Sequence, residues 1–597
     1  MKPGEVDTAP VMAYTPSNSR RAAIPRMHAP HRPNWIVRPR DFAFEAQLSS
    51  SLGLPPLVGS ILRNRGIGTV EAAEEFLTPS LSRLHDPYML RGVDVAVERI
   101  VQALQEQQPI LVHGDYDADG VTSATLLTRF LGKIGANIQY HIPHRMNDRY
   151  GLGAAAIRRA AEAGAKLVIA VDCGVSDHES VAVARELGLD TIIVDHHQPP
   201  DVLPGGAIVI DPKVPEDTYP ERELASVGLA FKLATALCQR LDMPFNSLAR
   251  AFLDLVAVGT VADVAPLTGE NRVMTAAGLE LLPRTRKVGL RALMRLCNLN
   301  GVVRASDIAF RLAPRINAVG RMGDAADAMD LLLTDDEVTA SRLALHLDTL
   351  NRQRQQVQDA TYREALQTIE DEVDLDESHV LVLSAAHWHA GILGIVAAKV
   401  LQSHGRPTVM LTEENGEMRG SARSIPDFDI TGGLGQCSDC LIRYGGHSLA
   451  AGLALDASDL EEFRERLNAI AADSLAGLDL RPRIEADAEV TLAEITPALL
   501  DELDRLQPCG HGNPVPLFVA TGVEVVESRA VGGEKQHLKM YVTQSGRSME
   551  CIGFGFGGEC ARYGRLSKID LCFTPEYNEY NGNIGIQLRL EALRPSQ

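Results

Sequence analysis

The residues best equipped for chemistry are three aspartates at alternate positions, Asp115, Asp117 and Asp119, in Pro109 to Thr122, which reads P-I-L-V-H-G-D-Y-D-A-D-G-V-T. The apolar run Ile110 to Val112 leads into them, with His113 just ahead and Gly120 just behind, so a buried strand ends in a carboxylate cluster. Like charges this close repel unless water or a cation sits among them. A solvated acidic turn is one reading, and a hard divalent cation is the other.

Two further stretches repeat the pattern and favour the cation. Lys166 to Ser176, K-L-V-I-A-V-D-C-G-V-S, is an apolar run ending at Asp172, and Thr191 to Gln198, T-I-I-V-D-H-H-Q, ends at Asp195, His196 and His197. Short Val/Ile runs separated by Ala-rich helical segments mark a parallel α/β sheet, whose ligands gather at the carboxyl ends of the strands. All three clusters then fall on one edge of one sheet, and together they predict a metal site assembled from separate strands. A fourth acid, Asp263 in V-A-D-V-A-P, follows the apolar helix Ala251 to Gly259. It would be costly to bury unpaired, and helix capping is its plainer reading.

Basic residues cluster in step with these acids. The strand Ile138 to Ile142 is followed by P-H-R-M-N-D-R-Y-G-L-G, which puts Arg145 and Arg149 at the same carboxyl edge. Phe310 to Arg321, F-R-L-A-P-R-I-N-A-V-G-R, sets three arginines in an apolar segment. Arg419 to Ser424 (R-G-S-A-R-S) and Arg443 to Gly452 (R-Y-G-G-H-S-L-A-A-G) read as loops dense in Gly, Ser and Arg. Such loops bring backbone N–H groups close to phosphates, and arginine's planar fork donates two hydrogen bonds to one phosphate.

The elements that position these residues divide the chain. Residues 1–45 read as a disordered basic tail, since Met1 to Arg40 hold seven prolines and seven Lys/Arg against two acids. Residues 46–335, which hold these acids, read as an α/β domain with N-terminal helices, where Thr69 is a helix N-cap. Residues 336–375 are a long polar helix, including N-R-Q-R-Q-Q, with too thin an apolar stripe for a bundle, and so a connector between lobes. A second α/β lobe spans 376–478. Residues 479–597 carry five alternating strands with Gly and Asn turns, which fits an OB-fold, a small barrel that often holds single strands. Tyr541, Phe554 and Phe556 are its candidates for base stacking.

H-G-D-Y-D-A-D-G, V-D-C-G, V-D-H-H and G-T-V-A-D-V-A-P-L (Gly259 to Leu267) resemble the four motifs of the DHH phosphoesterase family, and G-G-H at Gly445 to His447 resembles the signature of its DHHA1 domain. The later motifs narrow the likeness, from about Leu52 to near the C-terminus, to the branch of single-strand-specific DNA exonucleases. The resemblance implies an α/β, multidomain chain, with a parallel-sheet DHH domain and a DHHA1 domain joined by the long helix, plus a β-barrel OB-fold. It implies two divalent ions, Mn or Mg, held by Asp117, Asp119, Asp172, His196 and Asp263, with Asp172 as the bridge. His113 enters the ligand set through the family's H-x-x-x-D-x-D spacing. His197 is left to bond a phosphate oxygen. Arg145, Arg315, Arg321, Arg419, Ser421, Arg423, Gly445, Gly446 and His447 match positions that hold the DNA backbone. The implied activity is hydrolysis of single-stranded DNA from its 5′ end to 5′-mononucleotides, in DNA repair and recombination. A helicase and a single-strand-binding protein are implied partners, and a monomer the implied state. Two other readings are a DHH phosphodiesterase for short oligonucleotides or small nucleotides, and a noncatalytic single-strand-binding scaffold.

Composition sets the remaining bounds. At 597 residues the chain is too long for one core, and 45% hydrophobic with 23% charged residues is ordinary for globular protein. No stretch reads as a membrane span and no leader is evident, which predicts a cytoplasmic protein. Nine cysteines without framework spacing point to reduced thiols, and Cys437 and Cys440, the one C-x-x-C, read as buried cysteines rather than a zinc site. A net charge of −20 requires any phosphate-binding surface to be a local basic channel.

Overall fold

Ile110–Gly114 (β1), Ile138–His141 (β2), Leu167–Val171 (β3), Asp190–Val194 (β4) and Ala207–Ile210 (β5) form a parallel sheet in the order β2-β1-β3-β4-β5. β1 and β3 are buried at every position, as strands covered on both faces must be. The structure, a computed structural model, describes residues 33–144, 151–414, 416–565, 567–580 and 583–596. They divide into two compact units. One comprises Thr78–Leu480 with Gln507–Pro514. The other comprises the described residues up to Leu77, Arg481–Leu506, and those from Val515 onward.

In the first unit, the helices Ala118–Lys133 (α1), Ser226–Arg240 (α2) and Phe245–Ala262 (α3) pack against one another beside the sheet. Leu126, Leu127, Phe130 and Leu131 of α1 are buried, as the spacing predicts. Contrary to the expectation that no stretch is long enough, α3 has the length and composition to cross a membrane. Yet 67% of it is buried inside the protein, where Phe252, Leu255 and Val256 fill the core. The arginine-bearing segment Phe310 to Arg321 is helical, a π-turn at Ile308–Leu312 running into Ala313–Met322 (α4).

Glu337–Glu372 (α5), 36 residues long, is the expected connector. Its first half buries Leu343, Leu347 and Leu350 in the core around the parallel sheet, and its second half buries Ala365 and Ile369 in a separate core with Trp388 and Val396. Beyond it, Leu381–Ser384 (β6), Thr408–Glu414 (β7), Glu417–Arg423 (β8), Arg443–His447 (β9) and Ala450–Leu455 (β10) make a sheet in the order β9-β10-β8-β7-β6, with Leu393–His404 (α6) packed on it. Arg419 to Arg423 and Arg443 to His447 are therefore strands, where their composition predicts loops. Small residues pair across the ladder, Gly445 with Gly452, Gly446 with Ala451 and Gly452 with Ser421, and backbone pairing asks nothing of their side chains. β9 is the edge strand and is exposed along its length. Cys437 and Cys440 are buried free thiols.

In the second unit, the strands Phe518–Val531, His537–Gln544, Arg547–Gly553, Lys568–Tyr580 and Asn583–Pro595 close into a five-stranded barrel, the first strand pairing with both the second and the fourth. Two domain expectations are corrected here. The tail expected over 1–45 ends sooner among the described residues: Asn34–Val37 pairs in parallel with Arg483–Ala486, and a helix starts at Phe42. Residues 1–32 lie outside the described residues. The N-terminal helices up to Leu77, expected with the catalytic domain, belong instead with the barrel, whereas the helix Val93–Gln105 lies in the first unit as expected. Arg38 bonds Glu485 (2.8 Å), Arg40 bonds Glu494 (2.5 Å) and Asn64 Nδ2 donates to the Asp487 carbonyl (2.8 Å). Thr69 does accept from the Ala72 N–H (3.1 Å).

Candidate metal centre

Each strand end and helix end delivers one part of the site. Asp117 caps α1, its Oδ1 accepting from the N–H groups of Asp119 (2.8 Å) and Gly120 (3.1 Å). Asp119, buried in the first turn of α1, accepts from the Ser226 and Val227 N–H groups (2.8 and 3.0 Å) at the start of α2, where the helix dipole favours an anion. Asp172 follows β3 at φ +62°, a left-handed conformation that costs a non-glycine residue roughly 1–2 kcal/mol. The Ser226 hydroxyl donates to its Oδ1 (2.9 Å). Asp263 stands at the C-terminal end of α3. His196 lies between acids from two elements, Nε2 3.3 Å from Asp172 Oδ1 and Nδ1 3.8 Å from Asp263 Oδ2.

Three overlapping groups of potential ligand atoms result: Asp172, His196 and His197; Asp119, His196 and Asp263; and Asp115, Asp117 and Asp172. Within each, one atom per residue lies within 4.8 Å of the others. His113 is in none of these groups among the described residues. Its buried ring places Nε2 3.3 Å from the Gly151 carbonyl.

The charges are strongly perturbed. Burial, then the charges of Asp263 and Asp117, push Asp119 well above the usual carboxylate range, and burial with Asp117 and Asp119 does the same to Asp172. Burial and Asp117 raise Asp263 to about 7. Burial lowers His196 to about 3, so it is neutral and able to ligate. Burial would lower His197 as well, but the bond from its Nδ1–H to Asp195 (2.7 Å) outweighs that and raises it to about 9. A carboxylate cluster too crowded to ionise fully, set beside a neutral imidazole, fits a divalent cation.

A groove of about 450 Å³ in the same unit is lined by Tyr116 of the first motif, Ala390 and Gly391, and Arg419, Arg443, Tyr444 and Gly445 of the second sheet. Arg419 is paired with Glu414, and Arg443 with Glu417 (2.9 Å). Ser421 and Arg423 lie on β8, and Gly446 and His447 on β9 with the His447 carbonyl bonded by Thr431 (2.7 Å). Arg321 Nη1 donates to the Gly391 carbonyl in the groove wall (2.9 Å). Arg315 is turned to Asp348 of α5 (Nε 2.9 Å, Nη2 2.8 Å) and to the Arg311 carbonyl (2.6 Å). Arg145 and Arg149 lie outside the described residues.

Sequence reasoning missed three supports. Ser226 ties Asp119 to Asp172 and has no motif signal. Asn317 of α4 accepts from the Ala118 N–H (2.8 Å), inside a stretch singled out only for its arginines. Asp195, first residue of the D-H-H run, also accepts from the Val175 N–H (3.0 Å) and so holds two strand ends together.

Residues 109–260 match the DHH family, N-terminal domain; residues 377–473 match the DHHA1 domain; and residues 486–592 match the RecJ OB domain. The single-stranded-DNA-specific exonuclease RecJ of Bacillus subtilis (strain 168) is 38% identical over 560 residues, 93% of this chain and 70% of that protein. The chain belongs to the RecJ family. The RecJ of Dickeya dadantii (strain 3937) is 33% identical over 92% of this chain and 98% of its own length. RecJ from Thermus thermophilus, solved in complex with Mn²⁺, superposes with a TM-score of 0.81 at 31% identity, over 95% of this chain and 80% of that one. The DHH resemblance and the fold it implied are thus borne out. The RecJ OB match also takes in Gln507–Pro514, which packs in the first unit, where the His511 carbonyl accepts from Leu267 N–H (2.8 Å) at the end of the fourth motif.

Proposed function

We propose that this chain is a metal-dependent exonuclease that hydrolyses single-stranded DNA from its 5′ end to 5′-mononucleotides. The overlap of the three ligand groups carries this reading. Asp172 and His196 each belong to two of them, a donor set that would suit a pair of cations. Asp117, Asp119, Asp172, His196 and Asp263 would hold them, with Asp115 beside Asp117 and Asp172. The carboxylates suit Mn²⁺ or Mg²⁺, and the imidazole favours Mn²⁺. Bound there, such a pair supplies a water acidic enough to attack at neutral pH and offsets charge on the phosphoryl group.

The chain's own residues do the rest. Asp119 and Asp172 are held by backbone and hydroxyl donors, so these ligand atoms are placed before substrate arrives. His197 is protonated at neutral pH; with Nδ1 held by Asp195, Nε2 is the nitrogen to donate to a phosphate oxygen. Arg321, Arg419 and Arg443 border the groove in which the strand lies, together with the Gly445–Gly446 backbone. His113 is assigned to the Gly151 backbone rather than to a cation. A helicase that supplies an unwound end and a single-strand-binding protein are the partners this activity calls for.

The test is digestion of a 3′-labelled single strand bearing a 5′-phosphate, with wild type and Asp172→Ala, in Mn²⁺ and in EDTA. Progressive shortening in Mn²⁺, lost by at least about a hundredfold in the variant and abolished in EDTA, is the expected result. Binding without shortening by wild type would leave a noncatalytic scaffold instead.

A further inference from the structure

α5 carries a guanidinium that the proposed mechanism does not use. Arg354 is half-buried, and its partners are two neutral amides of its own helix: Nη2 donates to Asn351 Oδ1 and Nη1 to Gln358 Oε1, both at 2.7 Å. Asn351 and Gln358 are themselves buried, so they fix the fork. Nε is buried with no hydrogen-bond partner, and among the described residues no carboxylate oxygen lies within 4.0 Å of the group. Asp359, whose charge reaches it, is bonded to Lys399 (3.2 Å).

The surroundings increase the deficit. Arg315 and Arg352 both bond the buried Asp348 (2.8 and 2.6 Å), so that carboxylate is already shared between two guanidiniums. Burial, with a further contribution from Arg315, makes Arg354 a poorer base than an ordinary arginine, as a cation short of a counter-ion must be. Taking a charge out of water without pairing it is expensive. In a chain of net charge −20, a local positive excess is also against the average. Arg315, whose charge reaches Arg354, lies on α4 about 9 Å along that helix from Arg321, which bonds Gly391 in the groove wall.

We infer that Arg354 is a further anion contact of this protein, a fork held ready by Asn351 and Gln358 for a phosphate of the bound single strand. The inference rests on the single-strand nuclease reading and adds a substrate contact on the connector helix. A planar guanidinium with fixed donors is the group suited to a phosphodiester or a terminal phosphate.

Binding of fluorescent single strands is measured by anisotropy across a salt series in EDTA, so that nothing is cut, with 5′-phosphate and 5′-hydroxyl versions of one oligonucleotide. Arg354→Gln should bind about fivefold to tenfold more weakly at 0.1 M salt, with a log K against log [salt] slope shallower by about 0.7, one phosphate's worth on a single strand. Arg354→Lys should recover the slope but not the full affinity. Gln358→Glu supplies the missing counter-ion in place: it should raise the melting temperature and still flatten the slope, whereas a purely structural arginine would gain stability and leave binding unchanged. A deficit confined to the 5′-phosphate strand assigns the end phosphate, and an equal deficit on both strands assigns an internal one. If wild type shows no salt-dependent binding, the nuclease reading fails. If wild type binds and both Arg354→Gln and Gln358→Glu keep its slope, the Arg354 inference alone is overturned.

Discussion

At the scale of single residues, the site is a set of groups held in unfavourable protonation states, and pH should expose it. Asp263 is raised to about 7 from the ordinary 3.8, and His197 to about 9 from 6.5. A group whose folded pKa is raised stabilises the fold below its unfolded pKa, and that contribution is lost as pH rises through the folded value. His196, lowered to about 3, opposes this trend only near pH 6.5, where the unfolded imidazole loses its proton, and adds no slope higher in the range. The metal-free protein should therefore melt at progressively lower temperature as pH rises from 6.5 to 9, with Asp263→Asn showing a shallower decline. Added Mn²⁺ should reverse the trend, because the cation favours the deprotonated carboxylates. Melting curves in EDTA and in Mn²⁺ across that range check both statements. Much of this scale was legible in the sequence: D-x-D-x-D, the Asp172 strand end and D-H-H announce ligands by type and spacing. Ser226 was not, because a serine in an apolar helix start carries no pattern until the fold brings Asp119 and Asp172 to it.

At the scale of elements, the centre depends on how closely α1, α2 and α3 approach. Gly259 of α3 is the point of closest fit. A Cβ there would lie 2.8 Å from Asp119 Oδ1 and 2.8 Å from Val227 Cγ1, and closer still to the Thr122 hydroxyl. Gly259→Ala should thus do two things. Overpacking should destabilise by about 1–3 kcal/mol, and displacing Asp119 should weaken Mn²⁺ binding about tenfold or more. Calorimetric titration with Mn²⁺ beside a thermal melt reads both, and a stability loss with metal affinity intact would show that α3 does not position the site. Helices and parallel strands were legible because periodicity and apolar runs report burial directly. The strands β8 and β9 were not, since Gly, Ser and Arg give no period-2 signal and their pairing is decided by backbone and neighbours.

At the scale of the whole molecule, an acidic chain must bind a polyanion, and the groove shows how closely the opposing charges are balanced. Arg419 and Arg443 line it, and each is already paired with a glutamate of the β7–β8 hairpin, Glu414 and Glu417. Ion pairs this exposed contribute little to stability, so exchanging carboxylate for phosphate costs the fold little. The glutamates instead oppose the incoming strand through their charge. Glu414→Gln combined with Glu417→Gln should therefore leave the melting temperature nearly unchanged. It should tighten single-strand binding about threefold to tenfold at low salt, with the gain fading as salt approaches 1 M, where screening reaches only about 3 Å. Anisotropy titrations in EDTA at low and high salt make the comparison. Equal affinity of variant and wild type at low salt would mean that Arg419 and Arg443 do not meet the phosphates, and that the basic path lies on other residues of the chain.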